Sequence, residues 1–245
     1  MKANGHTVLI TGGGSGIGLA LAERFHAEGN RVILVGRDRD RLERARAGRE
    51  EMLAFAGDVA DPELAPGLVR AFPDVNILVN NAGIQFNYDF ARTAEAELQE
   101  KVTRELEVNF TAPLRLTRAF LPGLIQRART GEAAVINVTS GLALVPKPSA
   151  PVYCPTKAAL RSFSKILRWQ LEATGVRVIE VLPPLVDTDM TAGRGTGKIT
   201  PDALADEFWR GFRRGRLELF IGKSKLLRMV DRLAPGVAEK IMKKM

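Results

Sequence analysis

Tyr153 and Lys157 stand four positions apart in "PVYCPTKAAL" (151–160), a spacing that sets both side chains on one helical face. A phenol left alone titrates near ~10, about three units above neutrality, so it is a poor base and a slow proton donor. An ammonium one turn along favours the phenolate, and the pair can then pass a proton to or from a substrate oxygen. The prolines indicate where the helix starts. Deep in a helix a proline costs about 3 kcal/mol or more, whereas the first turn has no partner for the missing N–H. The stretch therefore predicts a helix beginning near Pro151 to Val152, with Pro155 in its first turn and Tyr153 at its entrance, facing a cleft. Tyr and Lys at this spacing also recur by chance in many helices, so the neighbouring motifs have to decide.

"TGGGSGIG" (11–18) follows a short apolar run and opens an amphipathic one. Glycines at 12, 16 and 18 let the backbone turn tightly and approach a diphosphate, which the free N–H groups and dipole of the helix start would hold. Such triplets also occur for steric reasons alone. At "ILVGRDRDRL", where dinucleotide folds select the ribose substituent, an acidic residue would accept from a 2′-hydroxyl. This chain offers Gly36 and then Arg37; a guanidinium pairs with a 2′-phosphate and favours NADP(H) over NAD(H), with Asp38 offsetting part of the effect. The plain alternative is a solvent-facing arginine. "GDV" (57–59), "NNAG" (80–83) and "NVTS" (137–140) each have a plain reading too: a cap for Asp58, turn residues for Asn80 and Asn81, a loop hydroxyl for Ser140.

The elements that must position these residues alternate. Apolar runs at 7–10, 31–35, 52–56, 76–80, 133–139, 176–182 and 217–221 read as seven strands, several rich in Val, Ile and Leu on both faces. Helical periodicity fills 17–28, 39–47, 62–72, 94–129 and 152–174. Strand then helix over nearly the whole length predicts one α/β domain with a doubly wound parallel sheet of about seven strands and helices on both faces. Ligands bind such sheets at the carboxyl ends of the strands.

Taken in order, "TGGGSGIG", "NNAG", Asn109, Ser140 and "YxxxK" resemble the short-chain dehydrogenase/reductase family in one register from Thr7 to about Thr188. The resemblance implies a Rossmann-type sheet, a nicotinamide cofactor and reversible carbonyl to alcohol interconversion. It implies catalytic roles for Asn109, Ser140, Tyr153 and Lys157: Ser140 bonds the substrate oxygen, Tyr153 gives it a proton while hydride arrives from the cofactor, Lys157 orients the ribose, and Asn109 holds a water linking Lys157 to solvent. With Arg37 from the reading above, the expected cofactor contacts are Gly12, Ser15, Gly16, Ile17, Gly18, Asp58, Val59, Asn80, Ala82, Gly83, Tyr153, Lys157, Pro183, Val186 and Thr188. One departure stands out. "LPPLVDT" has Pro184 where the family commonly has glycine, and with "YCPTK" it resembles a minor branch often named only for cell-envelope gene clusters. Subunit pairing through 94–129 and 152–174, as homodimer or homotetramer, is family habit.

Composition limits the rest. One cysteine rules out an internal disulfide, and two histidines with it cannot supply the usual zinc ligands, so no metal is expected. The start "MKANGHTVLI" reads as neither signal peptide nor membrane span, giving a cytoplasmic expectation. Net charge is +8, and eleven Lys/Arg against six Asp/Glu fall in residues 201–245. With aromatics at 6% and no recognition helix, nucleic-acid binding is not expected. "TAGRGTGKIT" (191–200) fails the spacing of a phosphate loop and reads as part of a mobile substrate lid over about 188–205. In the basic tail (223–245), Leu226, Leu227, Val230 and Leu233 share one face and Val237, Ile241 and Met245 follow at fours. That tail docks on the protein's own body or a sister subunit, or else makes a weak contact with an anionic membrane. Leu142, Leu144, Val145, Val152 and Leu185 are expected to line a mainly apolar pocket. The functional expectation is an NADP(H)-dependent carbonyl reductase, with an NAD(H)-dependent alcohol dehydrogenase and a non-catalytic NADP(H) sensor as alternatives.

Overall fold

The computed structural model describes residues 1–49 and 51–243. Seven strands, β1 (Thr7–Thr11), β2 (Arg31–Gly36), β3 (Met52–Ala56), β4 (Ile77–Asn80), β5 (Ala133–Val138), β6 (Val176–Leu182) and β7 (Glu218–Phe220), form one sheet in the order β3-β2-β1-β4-β5-β6-β7. Every pairing is parallel; Ile10, for example, lies between Leu34 and Val79. The strand order reverses between β1 and β4, and it is there, beyond the carboxyl ends, that a crevice opens in such sheets.

Side-chain alternation explains why both faces are apolar. Val8, Ile10, Val32 and Leu34 point to one side, where they meet α1 (Gly16–Ala27), α2 (Arg39–Arg46) and α7 (Pro201–Arg213). Leu9, Ile33 and Val35 point to the other, against α3 (Leu64–Ala71), α5 (Ala112–Ala128) and α6 (Tyr153–Gln170). The period of two thus serves two cores at once. On the first face Phe25 meets Phe208, Trp209 and Phe212 at centroid distances of 5.2–5.9 Å.

Helix α7 is an element beyond the helices expected from periodicity. The Thr200 hydroxyl accepts from the Ala203 N–H at 3.1 Å, Pro201 fills the first turn, and Leu204, Ala205, Phe208, Trp209 and Phe212 follow at helical spacing. Residues 201–205, expected in the lid, are thus ordinary helix with Leu204 and Ala205 buried. The expected helix 94–129 is also divided: α4 (Glu95–Leu106) passes through a π-turn at Glu107–Thr111 into α5.

The tail forms α8 (Ser224–Leu233) and α9 (Pro235–Met242). Its inward face differs from the expected one. Leu227 and Val230 pack with Ala238, Met242 and Val145, while Leu226, Leu233, Val237 and Ile241 remain exposed; Met245 lies outside the described residues. Among those residues no helix is long and apolar enough to cross a membrane.

Candidate active site

The glycine turn explains itself by contacts. Gly12 and Gly16 have φ of 65° and 53°, in the left-handed region that favours glycine. A Cβ on Gly18 would lie 2.2 Å from the Gly12 carbonyl, so α1 can approach the turn only without one. Asn81 holds the turn in place: its Nδ2 donates to the carbonyls of Thr11 and Gly12, and its N–H donates to the Thr11 hydroxyl.

Helix α6 begins at Tyr153, with Pro155 in its first turn. A buried polar ladder positions it against the sheet. Asn80 donates to Asn137 at 2.8 Å, Asn137 donates to Ser164 of α6 at 2.8 Å, and Ser164 donates to the Leu160 carbonyl. The chain of donors runs unbroken from Asn80 to the Leu160 carbonyl, although Asn80 Oδ1 is itself buried without a partner among the described residues. From the helix start, the Tyr153 ring and the Lys157 ammonium share the cleft, with Nζ 5.8 Å from the ring centroid. Nζ donates to the Val138 carbonyl at 2.9 Å. Ser140 follows β5; its Oγ accepts from the Leu142 N–H at 3.1 Å, which leaves the hydroxyl hydrogen to be donated elsewhere.

The π-turn accounts for the position of Asn109. Its side chain, wholly buried, accepts from the Ile84 N–H and donates to the Ile84 carbonyl, both at 2.9 Å. It also donates to the Thr156 hydroxyl at 3.3 Å. A Cβ on Gly83 would meet Asn109 Oδ1 at 3.2 Å and Lys157 Nζ at 3.5 Å, so these two polar groups flank one point of the backbone.

A cavity of about 820 Å³ takes in Gly12, Ser15, Gly16, Ile17, Ala82, Gly83, Ser140, Tyr153, Lys157, Pro183, Val186 and Thr188. Other expected residues stand apart from its lining. Gly18 packs behind the turn. Val59 belongs to the core on the α5 side, and Arg37 is exposed beyond β2. Asn80 is buried in the ladder, with Nδ2 also donating to Thr117. The Asp58 carboxylate accepts from the Ala60 N–H and pairs with Arg104. Burial pushes its pKa up, but those two partners outweigh it and hold the group below the ordinary carboxylate range. Asn109 reaches the cleft through Ile84. Of the expected apolar lining, Leu142 and Leu185 are present, whereas Leu144 and Val145 pack in the cluster beneath α9 and Val152 stands apart from the cavity.

Burial dominates the electrostatics of the Tyr153–Lys157 pair. Burial pushes the Tyr153 phenol up to about 12, with the Ser140 hydrogen bond acting against it. Burial also holds Lys157 down to about 8. Desolvation is the largest influence on each of the two groups. At neutral pH the phenol keeps its proton.

Beyond a Rossmann-type sheet, these features match a known group of enzymes. A family model described as short chain dehydrogenase matches residues 6–198. The chain belongs to the short-chain dehydrogenase family. It is 42% identical over 229 residues to an uncharacterised oxidoreductase, DltE, of Bacillus subtilis, covering 89% of each chain. It is 38% identical over 212 residues to a serine 3-dehydrogenase of Rhizobium radiobacter, covering 84% of this chain and 80% of that one. Among solved structures, a short chain dehydrogenase from Burkholderia cenocepacia in complex with NADP superposes with a TM-score of 0.88 at 26% identity, covering 99% of both chains. This short-chain dehydrogenase is accordingly an oxidoreductase by family.

Four residues of the cavity region escaped the sequence reading. Asn81 follows the last residue of β4, and strand alternation turns it toward the turn where Asn80 turns inward. Arg41 of α2 reaches to 3.4 Å from the Ser15 hydroxyl and 3.0 Å from Asp189. Lys147 and Arg194 line the opposite end. Only Asn81, inside "NNAG", carried a local signal.

Proposed function

We propose that this chain interconverts a carbonyl group and a secondary alcohol with NADP(H). The observation that carries the reading is that Ser140, Tyr153 and Lys157 line the same cavity as the glycine turn. The turn fits a dinucleotide: Gly12 and Gly16 have no side chain between the backbone and a diphosphate, Gly18 lets α1 pack against the turn, and the first turn of α1 offers its N–H groups. The likeness to the NADP complex supports the phosphorylated cofactor, as do Arg37 and Arg41 beside the expected ribose position. Lys157 would hold the nicotinamide ribose and Thr188, against Gly16, the nicotinamide end. Bound there, the cofactor supplies or accepts the hydride at the carbonyl carbon.

The chain's own residues handle the oxygen. Ser140, its Oγ already accepting from Leu142, donates to the substrate oxygen and orients it. Tyr153, protonated at neutral pH, gives that oxygen a proton as it becomes an alkoxide. Asn109 holds the Ile84 backbone beside Lys157 and so sets the wall of the cleft. The resting phenol is in the form that reduction requires, whereas oxidation must first remove its proton. The chain works as a single domain. The exposed Ile166 and Trp169 of α6, with Leu106 of α4, supply the face through which two copies pair.

Tyr153→Phe tests the reading. Carbonyl reduction should fall about 10²–10⁴-fold while NADPH binding, followed by fluorescence titration, stays close to that of the unaltered protein. Undiminished turnover in this variant would remove Tyr153 from the chemistry and the reading with it.

A further inference from the structure

The cavity is not apolar throughout. Its substrate end is walled by Leu142, Leu185 and Leu227, but Lys147 and Arg194 also face into it beside Tyr153. Both are partly buried. Of the neighbouring cations, Lys198 pairs with Asp187, Arg41 with Asp189 and Lys225 with Glu207, while Lys223, on the lining beside Gly197, forms no ion pair among the described residues. Lys147 and Arg194 form no ion pair among the described residues. Arg194 Nη2 reaches only the Gln85 carbonyl, at 3.5 Å, and Nη1 is buried without a hydrogen-bond partner.

An arginine nitrogen taken out of water and left without an acceptor is costly. Two cations close enough to repel, as these are, add to the cost: burial and the Arg194 charge both lower the Lys147 pKa. The one carboxyl whose charge reaches Tyr153, Glu105, is wholly buried, occupied with the Phe86 N–H, and in no ion pair with either cation among the described residues. A guanidinium with an open edge beside an ammonium is a fitting receptor for a planar oxyanion.

We propose that Arg194 and Lys147 bind a carboxylate carried by the substrate, so that the preferred substrate is an oxo acid or hydroxy acid whose reacting carbon lies at Tyr153 and whose acid group lies at this cationic end. The proposal rests on the oxidoreductase reading above and narrows its substrate class.

A series of straight-chain oxo acids and their methyl esters, assayed as substrates with NADPH, tests this. Each ester keeps the carbonyl and removes the charge. The intact protein should show a kcat/KM at least ten times higher for the best acid than for its ester. In Arg194→Leu that ratio should drop at least tenfold, in Arg194→Lys by less, and in the distant charge-loss variant Arg70→Leu it should be unchanged. An intact protein that reduces esters as well as acids overturns the proposal and leaves the oxidoreductase reading standing; a ratio unmoved in Arg194→Leu also overturns it. No turnover of any carbonyl compound, with either cofactor, defeats the underlying reading instead.

Discussion

Asn109 clasps Ile84 by both backbone groups, accepting from its N–H and donating to its carbonyl at 2.9 Å each. The side chain thus fastens a helix to the loop that follows β4, next to the Lys157 ammonium.

Removing that clasp should cost both stability and rate. Asn109→Ala leaves two partly buried backbone groups unsatisfied, at about 1–3 kcal/mol each, and frees the loop at Gly83. We expect the urea midpoint to fall by an amount equivalent to roughly 2–6 kcal/mol, with kcat lower as well. Asn109→Asp retains the acceptor and loses the donor, so it should fall between the two. A midpoint unchanged in Asn109→Ala would show that the loop is held by other contacts.

Lys157 should act against stability. Its pKa is about 8 in the fold against 10.5 in the unfolded chain, so the unfolded state binds the extra proton between those values. Stability then rises with pH across that window and is flat below it, and the penalty at neutral pH is about 3 kcal/mol. Tyr153 runs the other way but higher, since only above pH 10 does the unfolded chain ionise while the folded phenol, near 12, does not. Lys157→Met should therefore raise the unfolding midpoint at pH 7, flatten the rise above pH 8, and reduce turnover at least about 100-fold. A lowered midpoint would mean that the bond to Val138 is worth more than the burial costs.

Cofactor choice should depend on two arginines rather than one. Arg37 lies just past β2, and Arg41, one turn into α2, extends to Ser15 of the glycine turn. Asp38 is occupied capping α2, where it accepts from the Arg41 N–H at 2.9 Å, so it offers little to a ribose hydroxyl. Hydrogen bonds to charged groups contribute about 1.5–3 kcal/mol, so Arg37→Ala and Arg41→Ala should each weaken NADPH binding about tenfold or more. NADH binding, measured by the same titration, should move little. Equal losses for both cofactors would place the arginines away from the 2′-phosphate.

Much of this was readable from residue order. The sheet was legible because parallel strands apolar on both sides leave unmistakable runs, and "TGGGSGIG" and "YxxxK" were legible because tight turns and helix faces are local. What escaped depends on the assembled fold. Helix α7 carried its own cap and spacing yet sat behind a glycine-rich stretch that drew it into the lid. The tail was legible in part: Leu227 and Val230 of the expected face pack inward, whereas Leu226 and Leu233 stay exposed, because exposed apolar residues there outnumber the buried ones. Arg194 and Lys147 are 47 positions apart in the chain and meet only across the cleft. The burial of Tyr153 and Lys157 was not legible, because spacing reports the neighbouring charge but not the loss of water around both groups.

The π-turn at Glu107–Thr111 carries one residue more than a regular helix would, and Asn109 rides on it. Excising a single amino acid there would let the backbone relax into an uninterrupted α-helix with better hydrogen bonding. Yet each residue of a helix advances about 100°, so the excision would swing every side chain on one flank round by that angle relative to the other. The smoother helix would be the poorer enzyme.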